Sequence, residues 1–158
     1  VGKGTEFKIG YSLKIASKPE NSKKNQKVLL TQNNLIGKKV LLVEDNKLNQ
    51  QIANEILKSF GLNIEIADNG AAAVDLATKN DYDLILMDIQ MPIMNGYIAT
   101  NKIRIIPDTK KATTPIIAMT ANAFDDDKRR AIKEGMNGFV SKPIDIDELL
   151  NAINDFIR

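Results

Sequence analysis

Cysteine, histidine and tryptophan are missing altogether from these 158 residues, and aromatic side chains are few, five Phe and three Tyr. The absence of Cys and His excludes disulfides, zinc fingers and every His-based catalytic or metal arrangement. No apolar run approaches the roughly 18 residues needed to span a bilayer, and the N-terminus lacks the basic, apolar and small-residue order of a signal peptide. The segment is therefore expected to be cytoplasmic and to make no membrane contact itself, any anchor belonging to a parent polypeptide. A parent is expected because the chain opens on Val1 rather than Met. Whatever chemistry occurs must use carboxylates, hydroxyls and lysines.

Aliphatic residues are plentiful: 43% of the chain is hydrophobic and 27% charged, which suits the core of one domain with a short appendage. The net charge of +2 hides a division. Residues 1–37 carry seven Lys against Glu6 and Glu20, a balance of +5, and the remainder carries 15 basic and 18 acidic residues, or −3. Scattered lysines in a tail, without aromatics interleaved on a folded face, do not make a nucleic-acid surface, so no direct nucleic-acid contact is expected.

From residue 38 onward, short apolar runs alternate with amphipathic stretches, as in strand–helix units around a parallel sheet. Strands are expected at 40–43, 64–67, 84–87, 116–119 and 138–140. The first, third and fourth are nearly unbroken aliphatic runs, as strands covered by helices on both faces should be. Leu48, Ile52, Ile56, Leu57 and Phe60 recur at helical spacing, with Gly61 as a left-handed stop. Further helices are expected over 71–78, 96–104 and 124–134. A last one, with Ile146, Leu149, Leu150, Ile153, Phe156 and Ile157 in phase, opens at Asp145 with Glu148 three residues on, the pattern of a capping box. Right-handed crossovers make this an α/β fold, a doubly wound five-stranded parallel sheet. In the flavodoxin-like order 2-1-3-4-5, ligands bind beyond the carboxyl ends of the strands, between strands one and three.

At those ends stand Glu44-Asp45 and Asp88, with Thr120 closing the fourth strand and Ser141-Lys142-Pro143 following the fifth. Crowded carboxylates either raise a pKa or recruit a cation, and an all-oxygen site suits Mg²⁺. With the acidic pair positioning metal, Asp88 is free to attack phosphorus and form an acyl phosphate. Thr120 would donate to one phosphoryl oxygen and Lys142 would neutralise another. Singly each residue has a plainer reading: Asp45 and Asn46 as helix caps, Asp88 as a turn residue, Thr120 as a cap, Lys142 as a solvated lysine. Jointly they all fall at carboxyl ends of strands and none at amino ends.

The motifs Leu41-Leu42-Val43-Glu44-Asp45-Asn46, Met87-Asp88-Ile89-Gln90-Met91-Pro92-Ile93-Met94-Asn95-Gly96, Thr120-Ala121-Asn122-Ala123 and Ser141-Lys142-Pro143 resemble the receiver domains of two-component signalling, across residues 38–158. The resemblance implies a receiver fold with Asp88 as phosphoacceptor. It also implies Mg²⁺ held by Glu44, Asp45, Asp88 and the backbone carbonyl of Gln90, and a phosphoryl group contacted by Thr120 and Lys142. Phe139 matches the aromatic switch position of the family, or is an ordinary core aromatic. A cis peptide is expected at Lys142–Pro143. Gln90 and Asn122 flank the site and are expected to tune hydrolysis.

The motif wording looks most like receivers fused behind histidine kinases, and Gly2-Lys3-Gly4-Thr5-Glu6-Phe7 with the alternating stretch 7–15 is similar to the closing strand of a kinase ATP-binding domain. Expected, then, are a kinase remnant over 1–15, a linker over 16–37, and a receiver over 38–158, the last taking phosphate from a phosphohistidine. The chain has no His, so the donor lies elsewhere: in the kinase dimerisation domain, with a histidine phosphotransfer protein or the parent kinase as next acceptor. The chain itself would do no more than phosphorylate and dephosphorylate itself, while its parent would be a histidine kinase. Phosphorylation would shift the face formed by the fourth expected helix, the fifth strand and the last helix. The severed strand suggests a strand-exchanged dimer through residues 5–15. Rival readings are a receiver that acts without phosphate, an aspartyl-phosphate phosphatase, which wants Asp where Gln90 stands, and a flavodoxin-like cofactor binder, whose phosphate Glu44-Asp45 would repel.

Overall fold

A computed structural model of the chain describes residues 34–121 and 125–157. The alternating stretch 7–15 with its expected strand exchange, and Asn122, lie outside the described residues. In chain order the elements are β1 (Lys39–Val43), α1 (Lys47–Ser59), β2 (Asn63–Ala67), α2 (Gly70–Lys79), β3 (Leu84–Asp88), α3 (Gly96–Arg104), α4 (Thr109–Ala112), β4 (Ile116–Thr120), α5 (Asp125–Lys133), β5 (Gly138–Ser141) and α6 (Ile146–Phe156). All strands pair in parallel in the order β2-β1-β3-β4-β5, as the sequence pattern predicts.

Successive strand side chains point to opposite faces, so the aliphatic runs feed two cores. Leu41, Val43, Ile85, Met87 and Ala118 pack with Ala73, Ile103 and Ala131 of α2, α3 and α5. Val40, Leu42, Leu86, Ile117 and Met119 pack with Leu57, Leu149 and Ile153 of α1 and α6. Leu35, ahead of β1, is buried in the second core. At the amino-end rim the Arg104 guanidinium donates to the carbonyls of Ala112, Thr114 and Gly135 and to Asn137 Oδ1, each at 2.8 Å. These bonds tie the end of α3 to the loops that lead into β4 and β5.

Three local features go beyond or depart from the sequence pattern. Of the expected helical row, Leu57 is fully buried and Ile56 and Phe60 pack against the core, while Leu48 and Ile52 stay 65% and 49% exposed. The first turns of α1 project past the end of the sheet, where no described element covers them. The capping box at Asp145 is half made. Asp145 Oδ1 accepts from Glu148 N at 2.9 Å, but the Glu148 carboxylate turns to the Ser141 hydroxyl at 2.7 Å and the Ser141 N–H at 3.3 Å, two donors at the end of β5 that outbid one. Helix α4, capped by Asp108, has no counterpart in the sequence reading, because Thr109-Lys110-Lys111-Ala112 is a single turn too short and too polar to carry an apolar period. Gly61 at φ +81° is the left-handed stop expected after α1.

Among the described residues, one non-glycine backbone position is strained. Ile93, in the loop between β3 and α3, sits at φ 67° and is 85% exposed. The left-handed region costs an L-residue roughly 1–2 kcal/mol and suits β-branched side chains least. Since so little of Ile93 is buried, Ile93→Asn is expected to raise unfolding stability in urea by about 1 kcal/mol, Asn tolerating this conformation. An unchanged or lower stability would mean the loop relaxes out of the left-handed region.

Candidate functional site

The register of the sheet assembles the site. Val43 pairs with Met87, Asp88 with Met119, and Thr120 with Ser141, so the residues following β1, ending β3, ending β4 and following β5 arrive side by side. Carboxylate oxygens of Glu44, Asp45 and Asp88 lie within 4.8 Å of one another. Glu44 is 2% and Asp88 5% exposed, while Asp45 is open to solvent. Lys142 Nζ reaches back across the sheet to Glu44 Oε2 at 2.5 Å and Asp88 Oδ2 at 2.7 Å. Thr120 is buried at 7% exposure and its carbonyl accepts from Lys142 N at 2.7 Å. The Lys142–Pro143 peptide is cis, as expected.

Two helix N-termini fix these groups. Asn46 caps α1, its Oδ1 accepting from Leu48 N at 2.9 Å and Asn49 N at 3.2 Å. Glu44 Oε1 accepts from Asn46 N at 3.3 Å and from Asn49 Nδ2 at 3.1 Å. Gln50, 5% exposed, donates through Nε2 to the Glu44 carbonyl at 2.5 Å and to Asp68 Oδ1 at 2.7 Å. On the other side, Asp88 Oδ1 accepts from Gln90 N at 3.1 Å, and Gly96 N donates to the Ile89 carbonyl at 3.0 Å. The sequence pattern alone does not mark Asn49 and Gln50. Their spacing of five and six residues from Glu44 carries a signal only once that loop is known to lead directly into a helix.

Burial pushes the Asp88 carboxyl above its usual range; the hydrogen bond and charge of Lys142 and the Gln90 N–H oppose this without overcoming it. For Lys142, burial pulls the ammonium down, but the bonds to Asp88 and Glu44 and their charges outweigh it and hold the proton more firmly than usual. Among the described residues the site therefore sets three acids against the Lys142 ammonium in a partly desolvated pocket. Its donor set is all oxygen and carries excess negative charge, a composition that fits a hard divalent cation such as Mg²⁺. A cavity of about 440 Å³ opens beside it, lined by Gln90, Asn95, Tyr97, Thr120 and Arg130 among others. Phe139 is half-buried, packs against the first core, and carries the Lys128 ammonium 4.4 Å above its ring.

Residues 40–154 match the family model described as response regulator receiver domain. The chain is 42% identical over 121 residues to a hybrid signal transduction histidine kinase of Dictyostelium discoideum, hybrid kinase B; the match covers 71% of this chain and only 6% of that protein's length. Among solved structures it is similar to the receiver domain of a sensor histidine kinase of Pseudomonas aeruginosa, which holds a magnesium ion in its active-site cleft (38% identity, TM-score 0.71, covering 77% of this chain and 98% of that one). It is also similar to a receiver domain of Saccharomyces cerevisiae crystallised with the histidine phosphotransfer protein upstream of it (30% identity, TM-score 0.73, covering 78% and 90%).

Proposed function

This chain belongs to the response regulator receiver domain family, and from that premise we propose that Asp88 accepts a phosphoryl group in a Mg²⁺-dependent phosphorelay. The observation that carries this is the juxtaposition of Glu44, Asp45 and Asp88 within 4.8 Å with Lys142 bridging two of them. Glu44, Asp45 and Asp88, with the Gln90 carbonyl, would hold the ion, and Mg²⁺ when bound supplies charge neutralisation for the acids and for phosphoryl oxygens. The rest is the work of the chain's own residues. An Asp88 carboxylate oxygen bonds to phosphorus as the P–N bond of phosphohistidine breaks; the electron pair leaves with the ring nitrogen, and the imidazole departs neutral if its other nitrogen is protonated. Lys142 neutralises one phosphoryl oxygen, and the Thr120 hydroxyl donates to another. Phe139 is the proposed switch, its movement transmitting the change at Thr120 toward α5, β5 and α6.

The donor lies outside these residues, since the chain has no His. We assign it to the phosphohistidine domain of a kinase, approaching over the exposed Leu48 and Ile52 beside the site, with a histidine phosphotransfer protein or the parent kinase as next acceptor. The hybrid-kinase character of the relatives supports a hybrid sensor kinase as the parent, with residues 1–15 left from its ATP-binding domain, 16–37 a linker and 38–158 the receiver. Among the described residues no helix is long and apolar enough to cross a membrane.

Intact-mass spectrometry after incubation with acetyl phosphate tests the proposal. A single phosphoryl adduct is expected with Mg²⁺, lost with EDTA and absent from Asp88→Asn. An adduct of equal yield in Asp88→Asn would overturn the assignment.

A further inference from the structure

The two oxygens of Glu44 have separate partners: Oε1 faces α1, bonded to Asn49 Nδ2 at 3.1 Å and Asn46 N at 3.3 Å, while Oε2 faces the site, bonded to Lys142 Nζ at 2.5 Å. We propose that Asn49 is a positioning residue for cation binding, fixing which Glu44 oxygen is presented to the ion; this rests on the cation site proposed above. The terminal torsion of a Glu side chain is broad and two-fold, so burial of the stem does not set the carboxylate plane. Hydrogen bonds do. Without the Asn49 amide only the longer Asn46 N–H bond remains on Oε1, and the carboxylate is free to turn both oxygens toward Lys142, whose ammonium competes with an ion for them.

The next residue performs a different task on the same glutamate. Gln50 holds the Glu44 backbone carbonyl and ties it to Asp68, in the loop before α2. Consecutive residues of α1 thus divide the work, Gln50 on the main chain and Asn49 on the carboxylate. Their burial differs accordingly: Gln50 is 5% exposed, and losing it strands a buried carbonyl, whereas Asn49 is only half-buried and touches the rim of a cavity of about 200 Å³ that Lys142 also lines. Loss of Asn49 should therefore weaken the ion site without weakening the fold. Outer hydrogen bonds to metal-ligating groups are commonly worth a factor of 10–100 in metal affinity.

The test is calorimetric titration of Mg²⁺ alone into the wild-type chain, Asn49→Leu, which keeps the volume and removes the donor, and Asn49→Ala, with thermal melts of each in EDTA. Expected is a rise in Kd of about tenfold in both variants, with melting in EDTA unchanged. A Kd within twofold of wild type in both variants would overturn the proposal, and so would a weakened Kd accompanied by a matching fall in melting temperature, the mark of a merely structural side chain. If the wild-type chain takes up no Mg²⁺, the cation site itself falls and this inference with it, a result distinguishable from the other two because it requires no variant.

Discussion

Lys142→Met is expected to melt well below the wild-type chain in EDTA and to recover most of the loss in saturating Mg²⁺. Lys142 pairs directly with the carboxylates of both Glu44 and Asp88, and both acids are nearly inaccessible to water. Removing one partner of a buried pair leaves an uncompensated charge and costs about 3–5 kcal/mol. Here two carboxylates are left facing each other, with Asp45 close by. Methionine preserves the length and apolar stem of lysine, so packing changes little and the loss is electrostatic. A divalent ion replaces the missing charge, and binding to the folded state alone adds stability by mass action. The wild-type chain should gain less from Mg²⁺, because its ammonium already neutralises the same oxygens. Equal melting of variant and wild type in EDTA would show that the acids are not held against their repulsion by Lys142.

The second large effect is expected at Gly96, the first residue of α3. A Cβ there would overlap the Asp88 carbonyl oxygen and come within 3.0 Å of Met87 Cγ. The obstacle is backbone, so no side-chain rotation relieves it, and α3 must move away from the end of β3. Helix propensity alone would make Gly96→Ala stabilising by about 1 kcal/mol. Overpacking against the strand end should reverse that sign and cost about 2–3 kcal/mol. The same displacement breaks the Gly96 N–H bond to the Ile89 carbonyl and shifts the Gln90 N–H that Asp88 Oδ1 accepts, so phosphorylation should slow as well. Urea unfolding and the acetyl phosphate reaction rate check the two halves. A stabilised variant would mean the loop yields without disturbing Asp88.

Much of this architecture is legible in the sequence because burial leaves few choices. Strands β1, β3 and β4 are covered on both faces, so their aliphatic runs are nearly unbroken, and polar residues can appear only where they end. That is why Glu44, Asp88 and Thr120 mark both the ends of strands and the rim of the site. What stays hidden depends on tertiary context. The reach of Lys142 to Glu44 spans 98 residues and depends on sheet register and chain direction after β5, which residue types do not encode. Leu48 and Ile52 look like core residues because periodicity reports a helix face without saying where the sheet beneath it stops. Ile93 gives no warning of its positive φ, since glycine or asparagine would normally mark such a position. Glu148 has the spacing of a capping box, yet the donors of Ser141 decide its conformation.

The central claim is that one carboxylate, Asp88, becomes the acyl phosphate. The most direct measurement is to treat the chain with acetyl phosphate and Mg²⁺, reduce it with borohydride, which converts an aspartyl phosphate to homoserine, and map the peptides by mass spectrometry. Homoserine at position 88 alone, dependent on both reagents, is the result the account predicts. Homoserine at position 45, or phosphate retained on Thr120 with position 88 still aspartate, would contradict it.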